Sequence, residues 1–164
     1  LELQQRGVQS GGIMLRKRYR SEGIIYGFPV ELRQVFLNLI GNAVQAMPQG
    51  GILSVHVAEV TDQTTGRRGV AISVADTGTG IRREDARNLL QPFFSTKSTK
   101  GTGLGLWISK GIVQKYEGRI NFRSQRCGGR NLTCFRVFLP TDAMPSARRS
   151  SKIESEPASA ASVS

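Results

Sequence analysis

Apolar residues recur along this chain with two different periods. Between Pro29 and Met47 they fall at Leu32, Val35, Phe36, Leu39, Ile40, Ala43, Val44 and Met47, the i, i+3, i+4, i+7 spacing of a helix with a broad buried stripe. Pro29 is preorganised for a first helical turn, and Pro48-Gln-Gly-Gly51 stops the helix. The period then drops to two. Leu53, Val55 and Val57 alternate with Ser54, His56 and Ala58, and after the turn-rich stretch 61–69 the same alternation returns with Val70, Ile72 and Val74. The pair predicts an antiparallel hairpin. Upstream, Ile13 to Leu15 and the basic run to Arg20 predict a strand that turns at Ser21-Glu-Gly23, while residues 1–6 read as the end of a helix stopped by Gly7 and Gly11-Gly12.

Downstream the pattern predicts a short helix near 82–90, a polar connector over 91–102, and a second long helix from about Gly103 to Tyr116. Leu104, Trp107, Ile108, Gly111 and Ile112 would share the apolar face of that helix. Two last strands, 119–124 and about 132–139, are joined by a loop over 125–131. After Pro140 the composition changes: seven serines and five alanines make up half of residues 141–164. Such a segment cannot offset its ordering entropy by burial, which predicts a disordered tail. The expected organisation is a helix stub and linker over 1–11, one folded domain over 12–140, and the tail over 141–164. Mixed helices and antiparallel strands predict an α+β two-layer sandwich.

Composition narrows the possibilities further. A chain of 164 residues and 17.9 kDa with 38% apolar content builds one core. No stretch approaches the roughly 20 apolar residues that span a bilayer, and no signal segment opens the sequence. Two cysteines, Cys127 and Cys134, are too few for a disulfide framework or a cysteine-rich metal site, which fits a reducing, cytoplasmic setting. Twenty-three basic residues against 12 acidic ones give a net charge of +11. The charge is scattered and forms no stripe along one helix. It favours anionic partners in general, with ATP as good a candidate as DNA.

Three polar features interrupt the structural pattern. Asn38 and Asn42 lie one turn apart inside the apolar helix, where an amide oxygen can serve as a hard ligand for Mg²⁺ or bridge an internal backbone group. Asp76-Thr-Gly-Thr-Gly80 follows a buried strand. Its carboxylate can accept a hydrogen bond from an exocyclic amine and its glycines let backbone approach a flat ligand, although a tight turn alone also produces the pattern. Gly101-Thr-Gly-Leu-Gly-Leu106 precedes the second helix, whose N-terminal N–H groups suit a phosphate, with Lys97 and Lys100 just upstream. The spacing matches neither a Walker A loop nor a Rossmann fingerprint.

Taken together, and in this order, these segments resemble the catalytic ATP-binding domain of sensor histidine kinases, within the gyrase/Hsp90/MutL-like ATPase superfamily. Leu32–Met47 (LRQVFLNLIGNAVQAM) looks like the N box, Val74–Ile81 (VADTGTGI) the G1 box, Pro92–Lys97 (PFFSTK) the F box and Gly101–Lys110 (GTGLGLWISK) the G2 box. Asn131–Pro140 resembles the closing strand. The resemblance implies a Bergerat-type fold that binds ATP and Mg²⁺. It makes Asn42 the magnesium ligand, with Asn38 assisting, and makes Asp76 the acceptor for the adenine amine, with Gly78 and Gly80 shaping the pocket. Phe94 would sit at one end of a lid over residues 91–102. Gly101, Gly103 and Gly105, with Thr102 and Leu104 between them, would cradle phosphate, and Thr133 would support Asp76.

Two departures qualify these implications. ATP-hydrolysing relatives carry a glutamate base where this chain has Asn38, and an amide cannot take a proton from water, so ATP should be held for transfer. Many family members have a lysine where this chain has Gln45, and Lys97 is the candidate substitute. The lone His56 reads as a surface strand residue with no acidic neighbour. The phosphoacceptor histidine is therefore expected on a dimerisation domain absent from this chain, with a response-regulator receiver domain as the onward partner and no nucleic acid. The expected state is a monomeric fragment of a cytoplasmic or membrane-anchored homodimer. The competing reading is a catalytically inactive regulatory nucleotide-binding module.

Overall fold

The computed structural model describes residues 3–9, 12–21, 23–94 and 103–143. Among the described residues, six strands form one mixed sheet: β1 (Leu3–Gln9), β2 (Ile13–Arg20), β3 (Gly51–Thr61), β4 (Arg68–Asp76), β5 (Arg119–Cys127) and β6 (Arg130–Pro140). Their spatial order is β1-β2-β3-β4-β6-β5. Only β2 and β3 run parallel; every other neighbouring pair is antiparallel. Helix α1 (Pro29–Gln45) makes the crossover between β2 and β3, and α2 (Gly105–Lys115) connects β4 to β5. The two helices pack on each other and on the sheet, giving the expected α+β two-layer sandwich.

The core lies between the layers. Val35, Leu39 and Ala43 of α1 meet Leu53, Val70, Val74, Phe135, Val137 and Leu139 from alternate positions of the strands. β6 lies inside the sheet because its residues 137–140 are all buried, whereas β5 fits the edge, with Arg119, Asn121 and Arg123 exposed along it. His56 is on the opposite sheet face, between Arg18 of β2 and Ser73 of β4. It is half-buried rather than a surface residue.

Several local expectations are corrected. Residues 3–9 form a strand rather than the end of a helix, paired with β2 from Leu3 opposite Tyr19 to Gln9 opposite Ile13. Six residues hold too few periods to separate the two forms, and an unpaired β2 edge supplies the missing backbone partners. Residues 83–90 form successive turns, with Asp85 N–H on the Arg82 carbonyl and Asn88 N–H on that of Asp85, instead of a helix. The loop expected over 125–131 shrinks to Gly128-Gly129, both at positive φ (56° and 78°), as a two-residue hairpin turn demands.

Helix α2 also buries a different face. Trp107 and Ile108 are exposed, while Ser109, Val113 and Tyr116 are buried. At the other end of the domain, Ala143 is buried, Asp142 pairs with Arg67, and Thr141 N–H bonds the Arg68 carbonyl. These three residues therefore pack on the fold; the remainder of the predicted tail lies outside the described residues.

One polar network fixes the helices to each other. The Tyr116 hydroxyl, 1% exposed as a residue, accepts the Phe28 N–H at 2.8 Å and donates to Glu31 at 2.8 Å. Lys115 completes the cluster, 2.6 Å from Glu31 and over the Phe28 ring. The Lys115 bond and charge and the Tyr116 bond hold the Glu31 carboxyl below its ordinary value despite its partial desolvation. Its contribution to stability is present above the usual carboxylate range and fades as pH falls through that lowered value. Tyr116→Phe leaves the Phe28 N–H and Glu31 short of a partner, and is expected to lower unfolding free energy by about 1–3 kcal/mol in urea titrations.

Candidate nucleotide site

The two asparagines of α1 have different surroundings. The Asn38 amide nitrogen donates to the Gly105 carbonyl at 3.0 Å and to the Ser109 hydroxyl at 3.1 Å, while its oxygen accepts from Gln34 at 3.0 Å. It thus bridges α1 to the first turn of α2. Asn42, one turn further on and half-exposed, makes none of these bonds. The first turn of α2 has no side-chain cap, which leaves its N–H groups available to an anion.

The C-terminal end of α1 meets the loop after β4. The Ala46 carbonyl accepts the Thr79 N–H at 2.9 Å. Thr77 ties the loop to β3, its N–H donating to the Ile52 carbonyl and its hydroxyl oxygen accepting the Ile52 N–H. Gly78 is needed because a Cβ there would run into the Ala46 carbonyl, and Gly80 because its φ is +79°. Asp76 is 3% exposed and accepts the Gly78 N–H at 2.9 Å. Burial raises its pKa above the ordinary aspartate value, and the Gly78 bond only partly opposes that shift. Thr133 is opposite Asp76 in the ladder and equally buried.

The C-terminal half of α1 therefore links two polar regions, the Asp76 loop at Ala46 and the start of α2 at Asn38. Eight residues separate them, or about 12 Å along the axis. Phe94 and Gly103, on either side of the undescribed stretch 95–102, meet directly: a Cβ on Gly103 (φ +66°) would collide with the backbone of Phe93 and Phe94. Phe93 itself is at φ +61°, rare for a bulky side chain. Leu104 precedes α2 and Gly105 begins it against Asn38. Lys97, Lys100, Gly101 and Thr102 lie outside the described residues.

Sequence reasoning missed Ser124 and Asn131. Ser124 accepts the Ile81 N–H at 3.0 Å and lies 3.1 Å from the Thr133 hydroxyl, while Asn131 donates to the Thr79 carbonyl at 2.7 Å. Polar residues on a strand near the sheet edge give no signal of such roles by themselves.

Residues 27–143 match the family described as histidine kinase-, DNA gyrase B- and HSP90-like ATPase. The chain belongs to this family. It is 35% identical over 130 residues to sporulation kinase C of Bacillus subtilis (strain 168), a match covering 78% of this chain and 28% of that protein. It is 40% identical over 114 residues to the sensor histidine kinase ZraS of Escherichia coli (strain K12), covering 70% and 22%. The catalytic domain of histidine kinase ThkA is 26% identical with a TM-score of 0.57, over 75% of this chain and 76% of that one. Full-length ShkA, solved in complex with AMPPNP, is 26% identical with a TM-score of 0.61, over 82% and 27%. The chain thus spans less than a third of the curated relatives it matches, and corresponds to the catalytic ATPase part of histidine kinases.

The Gly78 contact generates a direct test. Gly78→Ala forces the Asp76 loop off the end of α1 and is expected to destabilise the domain by about 1–3 kcal/mol, as overpacking does. Gly41→Ala, in mid-helix with open space around it, is expected to stabilise by roughly 0.5–1 kcal/mol. Thermal unfolding of the two variants side by side checks both signs.

Proposed function

We propose that this chain is the ATP-binding catalytic domain of a sensor histidine kinase, which places the γ-phosphoryl of Mg-ATP for transfer to a histidine on a dimerisation domain outside it. The observation that carries the reading is the arrangement along α1: a buried acceptor, Asp76, at its C-terminal end and the uncapped start of α2 beside its middle. Adenine would lie in the Asp76 loop, with its amine donating to the carboxylate beside Gly78 and Gly80. The phosphates would extend toward Gly103, Leu104 and Gly105. Lys97, Lys100, Gly101 and Thr102 are assigned to the same phosphates, Phe94 to the lid, and Thr133 to the support of Asp76.

The donor set fits magnesium. Asn42 offers a half-exposed amide oxygen outside the Asn38 network, a suitable ligand for an ion that also takes phosphate and water oxygens. When bound, Mg²⁺ would supply charge neutralisation at the phosphates. Asn38 spends its amide nitrogen on Gly105 and Ser109, so its main task is to hold the phosphate-binding turn, with a second lone pair left on its oxygen. Neither asparagine can act as a general base toward water, which favours transfer over hydrolysis. The phosphoacceptor domain, a homodimeric full-length protein, a response-regulator partner and a cytoplasmic location complete the proposal. No helix among the described residues is long and apolar enough to cross a membrane.

Incubation with γ-labelled ATP is expected to leave this chain unlabelled although it binds Mg-ATP; stable label on it would overturn the need for an external histidine. Asp76→Ala is expected to weaken ATP binding about five- to 150-fold, the worth of about 1–3 kcal/mol, with a much smaller loss for a purine nucleotide lacking the amine. Asn42→Ala should remove the magnesium dependence of binding and leave the metal-free affinity in place. Titrations of ATP and ADP with Mg²⁺ and with chelator read both. Because burial raises the Asp76 pKa, ATP affinity should fall on acidification at a pH above the ordinary aspartate value, and Asp76→Asn should flatten that limb.

A further inference from the structure

Strands β2 to β6 turn alternate side chains to the helices and to the opposite side of the sheet. Leu53, Val74 and Val137 belong to the helix-facing set. On the other face the register aligns Arg16, Ser54, Ala75, Cys134 and Arg123 in one row across the five strands, and Arg18, His56, Ser73, Arg136 and Asn121 in the next. A third row begins at Arg20 and ends at Arg119. No aspartate or glutamate stands at these positions; the carboxylates of the five strands, Glu59 and Asp76, are both at helix-facing ones. Arg119 is paired with Asp62 in the turn after β3, and Arg18 and Arg20 have contacts of their own. Arg16, Arg123 and Arg136 are exposed and make no ion pair among the described residues. Arg16 and Arg123 are four strand spacings apart, or about 19 Å, too far for one small anion to bridge.

This face lacks what other anionic partners need. Its aromatic side chain, Phe138, is buried, which leaves no ring for bases to stack on, and a broad sheet face does not enter a duplex groove as a helix or a two-stranded ribbon does. Its middle is small, with Ala58, Ala71 and Ala75, and Met14 near one end of β2 is its only large exposed apolar side chain among the described residues. A protein partner would find no buried anchor there. What the face does offer is separated cations on a broad surface, the complement of a leaflet of anionic headgroups. We propose that the sheet face opposite the helices docks on anionic lipid headgroups, with Arg16, Arg123 and Arg136 each meeting a separate one. The nucleotide site is on the helix side of the sheet and stays open when this face is covered. The proposal stands apart from the ATP reading.

Co-sedimentation with phospholipid vesicles tests it. The chain should bind vesicles of phosphatidylcholine mixed with phosphatidylglycerol, should not bind phosphatidylcholine alone, and should bind less as salt is added. An arginine near an anionic surface contributes about fivefold, so the triple variant Arg16→Gln, Arg123→Gln, Arg136→Gln should bind about 100-fold more weakly. Lysine at the same three positions should keep the binding, which guards against a folding defect. A second triple variant, Arg33→Gln, Arg83→Gln, Arg87→Gln, removes the same charge from exposed positions elsewhere and should stay within about fivefold of the unmodified chain. Equal losses in the two glutamine variants would mean that net charge alone acts, and would overturn the proposal. So would a failure to bind the mixed vesicles, or tighter binding to duplex DNA at the same phosphate concentration. Vesicles that displace ATP would place the lipid at the phosphate site instead, and overturn it as well. A chain that binds the mixed vesicles and no ATP would overturn the nucleotide reading and leave this one standing.

Discussion

The hydrogen bond from Thr79 N–H to the Ala46 carbonyl joins the end of α1 to the loop after β4, and the site depends on it. A carbonyl at a helix C-terminus has no partner within its own helix, and here the loop supplies one. The contact requires a residue without a side chain at 78, because the helix end and the loop approach too closely for a Cβ. Once the contact is made, the position of Asp76 is set relative to the whole length of α1. The stripe of Val35, Leu39 and Ala43 then sets α1 against the sheet.

The middle of α1 is held by polar contacts. Asn38 and Ser109 lie between two helices in a region that apolar residues could also fill, and each finds the other together with the Gly105 carbonyl. A directional hydrogen-bonded pair specifies one arrangement of the two helices, whereas apolar packing tolerates sliding. The consequence for function is geometric. The two ends of the nucleotide site belong to separate segments of sequence, and α1 connects them as a rigid spacer, bonded at Ala46 and at Asn38.

Legibility in the sequence varied with the strength of the local pattern. The seventeen residues of α1 and the β3–β4 hairpin could be read from their periods, because each turns a regularly spaced apolar set to the core. The glycines and aspartate of the Asp76 loop could be read because few residue types tolerate such a bend. In α2 the pattern misled: Trp107 and Ile108 are apolar yet exposed, and Ser109 is polar yet buried. The face a helix buries is set by what stands opposite it, and Asn38 offers a polar partner there.

What the sequence alone determined is therefore the identity and order of the two long helices and of β2 to β6, the α+β layering, and the residue types capable of holding adenine, phosphate and a divalent cation. These follow from periodicity, conformational restriction and the donor inventory of single side chains, all of which are local. Tertiary structure alone decided that residues 3–9 extend the sheet, that Gly128-Gly129 closes a tight hairpin, and that Asn38 bridges helices. It also brought Asp76 of β4 to one face with Ser124 and Thr133 of the β5–β6 hairpin, across the intervening α2. Hydrogen bonds between residues 43 or 67 positions apart leave no periodic trace, because either partner alone is an ordinary polar residue.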